Sequence, residues 1–398
     1  MLFVVSASYA AEPEQQSDPI TIGQTFTIRS EVLGEDRKYS VYLPASYKAT
    51  RYAPRSYPVL YLLDGGPLFH SATGVVQYMS SNINGNTQIP ELIVIAVSNT
   101  NRQRDLTPSH TLLDADGKEQ VRFVTSGGGD RFLRFFREEL IPEVESKYRT
   151  ARHRTLVGNS LGGLLALHAM IHSPDLFQAY IANDPSLWWD DALLVRQAKK
   201  VFSADWQHVQ SVFISSARSD DERIRNRIAE LDELFSADTG AQTRFKYQHF
   251  DAEDHGSLYL PGLYHGLKSV FLGYNISFDD VYFGDTGLLL TSHFERLSAR
   301  LGIALLPPEF LVDNWGRYAL HGLKNPEKAL EFFKTNESNF PESANVFVSL
   351  ADAYIQMHET LLAIENLERA LEADPNHIRR EWTRKSLARL REAVISVE

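Results

Sequence analysis

Gly158-Asn159-Ser160-Leu161-Gly162 is the stretch of this chain best suited to covalent chemistry. A serine hydroxyl is a weak nucleophile unless a base takes its proton and the backbone presents the oxygen clear of itself. The G-x-S-x-G spacing meets the second need. Thr155 to Gly158 is a short apolar β run, and from Leu161 on apolar residues fill nearly every helical position, so Ser160 lies at a strand-to-helix junction. Glycines at 158, 162 and 163 let the two backbones pass close together and push Ser160 Oγ above the sheet edge. The Leu161 N–H then opens a helix and points at whatever Ser160 attacks.

The base is predicted to be His255. It stands just past the last strand and beside Gly256, where a loop can turn back toward Ser160. His249 shares a strand face with Phe245 and Tyr247 and reads as structural, as do His168 and His172 on the nucleophile helix. The orienting acid is predicted in Arg218-Ser-Asp220-Asp221-Glu222, with Asp220 first and Asp221 second. Acidic residues also open helices simply to meet the dipole, so a Ser-His dyad stays open. The second oxyanion donor is expected from the loop after Pro58-Val-Leu-Tyr-Leu-Leu-Asp64-Gly65-Gly66. Pro67 has no N–H, which leaves Gly66.

Such groups need a sheet to carry them. Gln24 to Glu31 and Lys38 to Leu43 alternate apolar and polar residues and read as an antiparallel pair turning near Gly34. Apolar runs at Pro58–Leu63, Leu92–Ser98, Thr155–Gly158, Gln178–Ala182, Ser211–Ser216 and Thr243–Phe250 read as central strands separated by helices. That alternation over about 250 residues predicts an α/β fold with a doubly wound, mostly parallel sheet. A loop of about thirty residues from Asn99 to Gly129 is long enough to cover a site.

The chain has 398 residues, a formal charge of −11 and no cysteine. The length suggests two domains, the charge argues against nucleic acid as a partner, and thiolate metal sites and disulfides are excluded. The chemistry read here calls for no cofactor and no metal. Met1 to Ala10 is too short to span a bilayer and reads as the tail of a signal peptide, pointing to the periplasm or the exterior. The expected divisions are a leader at 1–18, an α/β-hydrolase domain at 19–277 and a helical domain at 278–398.

Five motifs occur in register: Leu63-Asp64-Gly65, Arg102-x-Arg104-Asp105-Leu-Thr-Pro108, Gly158-x-Ser160-x-Gly162-Gly163, Pro185-Ser-Leu-Trp188-Trp189 and His255-Gly256-Ser257. The set resembles the "Putative esterase" family of α/β hydrolases, which includes enterochelin esterases, S-formylglutathione hydrolase, feruloyl esterases and mycolyltransferases. The Ser-Leu-Trp-Trp segment looks most like the siderophore-esterase branch. The resemblance covers roughly residues 20 to 275 and implies Ser160 as nucleophile, His255 as base, and the Leu161 and Gly66 amides as oxyanion donors. Ala217-Arg-Ser-Asp220 departs from the pattern of relatives, so the acid transfers least well. Asp64, Arg102, Arg104, Trp188 and Trp189 are the expected substrate-binding residues. Arg102 and Arg104 would offer a local cationic patch, and the tryptophans either an acyl-pocket wall or packing.

Beyond about Phe278 the pattern is helical. Ala344 to His377 fits a tetratricopeptide repeat, with Phe347, Leu350, Ala351, Tyr354, Ala363, Leu367, Ala370 and Pro375 in place and a weaker copy 34 residues earlier. Two repeats are too few to stand alone, so they should lean on the hydrolase domain, form a homodimer surface or bind a protein partner. The expected function is a serine carboxylic-ester hydrolase acting through an acyl-enzyme on a small-molecule ester, siderophore-type esters among them. The alternatives are an interaction scaffold built on the repeats, or a peptidase or acyltransferase on the same fold.

Overall fold

The strand β3 (Tyr57–Leu62) shows why the central runs are apolar without alternation. Val59, Tyr61 and the following Leu63 pack into one core, while Leu60 and Leu62 pack into a second core on the opposite face. A strand covered on both sides has no polar face to show. The computed structural model describes residues 18–81, 87–202, 210–218, 222–237 and 244–396.

The other strands are β1 (Gln24–Ser30), β2 (Glu35–Tyr42), β4 (Ile93–Val97), β5 (Thr150–Asn159), β6 (Ala179–Asn183), β7 (Ser211–Ala217) and β8 (Arg244–Phe250). They form one eight-stranded sheet in the order β1-β2-β4-β3-β5-β6-β7-β8. β1 and β2 pair antiparallel with Phe26 opposite Tyr39, turning through Gly34 at φ 73°. β2 meets β4 antiparallel, and the strands from β4 to β8 are parallel. This is the expected mostly parallel α/β sheet, and it fits an α/β-hydrolase fold. In such a sheet the chain turns that follow the parallel strands open on one edge, where ligands bind.

One continuous helical run carries a π-turn at Phe136–Leu140 between Gly129–Phe135 and Ile141–Lys147. Glu139 of that turn accepts from Ser30 Oγ (2.5 Å) and from the Glu31 and Val32 amides (2.8 Å each), tying the helix to the β1–β2 corner.

The C-terminal third is helical, and Ala344–Gln356 and Thr360–Ala373 form the helix pair expected there. It shares a core with the sheet. Leu60, Leu62 and Phe213 belong to the same buried cluster as Phe294, Leu297, Phe333 and Phe347. Polar contacts cross the same seam: Arg51 reaches Asp313 (2.9 Å) and Asn345 (3.1 Å), the Ala53 amide donates to Glu309 (2.8 Å), and His153 Nδ1 meets the Leu301 carbonyl (3.2 Å). A cleft of about 560 Å³, lined in part by Tyr47, Arg51, Pro341 and His377, runs along this seam and includes neither Ser160 nor His255. Among the described residues no helix is long and apolar enough to cross a membrane. The expected leader Met1–Ala10 lies outside the described residues.

Candidate active site

β5 delivers Ser160 on a strained turn. Its φ and ψ are 58° and −115°, a conformation a side chain adopts only where its surroundings force it. The force is visible at Gly158: a Cβ there would lie 2.1 Å from the Gly162 carbonyl oxygen, so strand and helix meet only because residue 158 carries no side chain. The Ser160 amide donates to the Asn183 carbonyl (2.9 Å), and its carbonyl accepts from Leu164 (3.0 Å) and Ser186 (3.1 Å). Leu161 then begins the helix Leu161–His172.

A second helix, Gly65–Ser80, starts directly after β3, with Asp64 left-handed at φ 55°. Gly65 is pressed on β4, since a Cβ would meet the Ala96 carbonyl carbon at 2.5 Å; Gly66 faces open space, with nothing nearer than Ser98 Oγ at 3.9 Å. The two helix starts are neighbours, because a Cβ on Gly162 would sit 3.4 Å from Asp64 Oδ2. The first amides of both helices lack intrahelical acceptors, so Leu161 and Gly66 can donate to a developing oxyanion.

His255 follows β8, as expected, and its side chain is 59% exposed. Its Nδ1 lies 2.5 Å from Asp184 Oδ2, the first residue after β6. Asp184 is only 15% exposed at its side chain and left-handed at φ 41°. It is set by its own amide on the Ser215 carbonyl (2.8 Å). The hydrogen bond to Asp184 raises the His255 pKa above its ordinary value, against the opposing effects of burial and of the Arg102 charge. A carboxylate there selects the Nδ1–H tautomer and leaves Nε2 free to accept a proton. Asp220 and Asp221 lie outside the described residues. Among the described residues the carboxylate on His255 is Asp184, a residue the sequence reading did not single out. Strand order allows the contact: β6 lies next to β5, and a loop from β8 that reaches toward Ser160 passes the ends of β7 and β6 on its way. Ser160 Oγ itself is bonded to Ser186 Oγ (3.2 Å) rather than to His255. Such contacts often close only with substrate bound.

The expected substrate-binding residues divide by what they touch. Asp64 is 7% exposed and takes a bidentate pair from Arg102 (2.8 and 2.9 Å) and a bond from Asn99 Nδ2 (2.5 Å). Arg102 also reaches the Asn159 carbonyl (3.2 Å), so the pair braces the strand end that carries Ser160. Arg104 is held by Glu35 (2.6 Å) and Asp105 (2.7 Å), and Arg37 completes that buried network. Trp189 is fully buried, and its indole N–H points to Ser109 Oγ (3.2 Å). Trp188 is half-buried against Phe123, at a ring separation of 6.2 Å. Phe123 comes from the long 99–129 loop, which thus covers the tryptophan pair.

With this geometry in hand, a comparison with protein-family models matches residues 30–255 to the family described as "Putative esterase". The chain belongs to that family. The esterase is 30% identical over 258 residues to the ferri-bacillibactin esterase BesA of Bacillus subtilis, covering 61% of this chain and 88% of that protein. It is 29% identical over 248 residues to a siderophore enterobactin esterase of Emericella nidulans, covering 54% and 82%. Among solved structures, an IroE-like serine hydrolase from Shewanella oneidensis superposes with a TM-score of 0.71 at 28% identity, covering 80% of this chain and 99% of that one. The protein is therefore a carboxylic ester hydrolase.

The sequence reading of the esterase did not single out Asp184, the carboxylate in contact with His255, because the Ser-acid-His order drew attention to the strand before the histidine strand. A signal was present: a carboxylate directly after a central strand and directly before Pro185, one strand from the nucleophile.

Proposed function

We propose that this esterase hydrolyses siderophore-type esters through an acyl-enzyme, with Ser160 as nucleophile, His255 as general base and acid, and Asp184 as orienting carboxylate. The observation that carries the mechanism is the 2.5 Å contact between Asp184 and His255 on the sheet edge that bears the strained Ser160. His255 takes the Ser160 proton as Oγ attacks the carbonyl carbon, the carbonyl pair moves onto oxygen, and the Leu161 and Gly66 amides receive that charge. Collapse expels the alcohol with the proton from His255; water repeats the sequence on the acyl-enzyme. The substrate class rests on the two siderophore-esterase relatives, with Arg102, beside the strand end that carries Ser160, and Trp188, two residues past Ser186, as candidate contacts. The C-terminal helix pair is read as tetratricopeptide-like, serving as a packed support for the sheet rather than a free binding groove.

The test compares the parent with Ser160→Ala on p-nitrophenyl acetate and on a ferric catecholate trilactone. The parent should release a burst of nitrophenol equal to the enzyme present and open the trilactone with the higher kcat/KM. The variant should lose roughly 10⁴–10⁶-fold in kcat. Retention of activity within tenfold would remove Ser160 as nucleophile. Cleavage of the simple ester with no action on the trilactone would refute the substrate class alone.

A further inference from the structure

The turn after β6 touches both other members of the catalytic group. Asp184 bonds His255, and two residues on, Ser186 sets its Oγ 3.2 Å from Ser160 Oγ. Ser186 is 4% exposed and pinned on both sides. Its amide donates to the Ser160 carbonyl (3.1 Å), and its carbonyl accepts from the amide of Trp189 (3.0 Å), which is buried against Ser109.

We propose that Ser186 donates its hydroxyl proton to Ser160 Oγ and stabilises the charge that oxygen gains during the reaction. This rests on Ser160 being the nucleophile. A buried hydroxyl proton needs an acceptor. Among the described residues the acceptor in range of Ser186 Oγ is Ser160 Oγ. The direction of the bond follows: Ser186 gives, Ser160 accepts, and the proton of Ser160 is left to aim at His255 Nε2. In acylation that proton passes to Nε2 while the Oγ–carbon bond forms and the carbonyl pair moves to its oxygen. Ser186 keeps its own proton throughout, and its bond is strongest while Ser160 Oγ carries most negative charge. In deacylation Ser160 Oγ leaves and carries charge again until His255 returns the proton. Both half-reactions therefore use the same donor.

The experiment compares Ser186→Ala, Ser186→Thr and Ser186→Cys with the parent in the full-length chain. Readouts are steady-state hydrolysis of p-nitrophenyl acetate, the rate of inactivation by a fluorophosphonate, and the melting temperature. Ser186→Ala should lower kcat and the inactivation rate together by about tenfold, with KM and melting temperature unchanged. Ser186→Thr, which keeps the hydroxyl, should recover most of the loss, and Ser186→Cys, a weak donor, should fall between. Rates within twofold of the parent in both Ala and Cys variants would overturn the proposal. So would a loss matched by a fall in melting temperature that Thr does not restore, since that is packing. If Ser186→Ala fails to fold, Ser186→Cys decides: parental rates refute the donor. Mapping the fluorophosphonate adduct separates the two readings. Labelling at a residue other than Ser160 sinks the nucleophile assignment, while labelling at Ser160 with unaltered rates sinks only the role of Ser186.

Discussion

Asp184→Asn removes one charge and keeps the shape of the side chain, so it isolates what that carboxylate does for His255. With Nδ1 and Oδ2 2.5 Å apart, the centres of an imidazolium and this carboxylate are roughly 4 Å apart. At an effective dielectric constant of about 20 their attraction is on the order of 4 kcal/mol. His255 is 59% exposed, so solvent screening should take at least half of this. The remaining ~2 kcal/mol corresponds to roughly thirtyfold in rate. Asparagine can also donate to Nδ1, which favours the tautomer with its proton on Nε2, where it blocks the base. Together these predict a loss of roughly 10²–10³-fold in kcat/KM on p-nitrophenyl acetate. The pH profile carries a second signature. Asp184 raises the His255 pKa and the working base is neutral, so parental activity climbs as pH rises through that raised value. In Asp184→Asn the climb should come at lower pH, and the deficit should be smallest on the acid side and complete above the parental limb. Asp220→Asn, as the control, should cost less than tenfold. If Asp184→Asn stays within threefold of the parent from pH 5 to 9 with its limb unmoved, Asp184 is not the acid. A large loss in Asp220→Asn would then place the acid after β7, and small losses in both would leave a dyad.

His153 is buried, and burial depresses its pKa to about 4, so it is neutral in the folded protein near neutrality. The unfolded chain takes up that proton near pH 6.5 and the folded chain near 4, so stability is full above about 6.5 and falls as pH drops through this window. The loss should reach about 3 kcal/mol by pH 4, and a denaturant titration series should be flatter below pH 6 in His153→Gln. Truncation after Asn275 should strip the shared core of Phe294, Leu297, Phe333 and Phe347 and leave an aggregating protein, seen by light scattering. A soluble monomer melting with the parent would refute that packing. Trp189→Ala should cost about 3–5 kcal/mol of stability, while Trp188→Ala should alter KM more than the melting temperature; the reverse result would exchange their roles.

What the amino-acid order determined by itself is what short-range chemistry dictates. The G-x-S-x-G elbow was legible because the glycines at 158 and 163 answer a local crowding of backbones. The central strands were legible because burial on both faces leaves an unbroken apolar run, as in Tyr57–Leu62. The position of His255 just past the last strand was legible because that strand shows in the sequence pattern. Long-range pairing was not legible. Asp64 and Arg102 stand 38 positions apart, and only the folded sheet shows that they spend their charges on each other. The same holds for Arg104 with Glu35, which turns an expected cationic patch into part of a paired network. Asp184 meets His255 across 71 residues because β6 sits between the nucleophile strand and the histidine strand, a fact of strand order that no local pattern encodes. Nor did the helical periodicity from Phe278 onward say where its apolar faces would go. The tertiary structure buries them largely on one another, as at Ala351, Leu367 and Leu387, and joins Phe294, Phe333 and Phe347 to the core cluster that also holds Leu60 and Leu62 of the sheet.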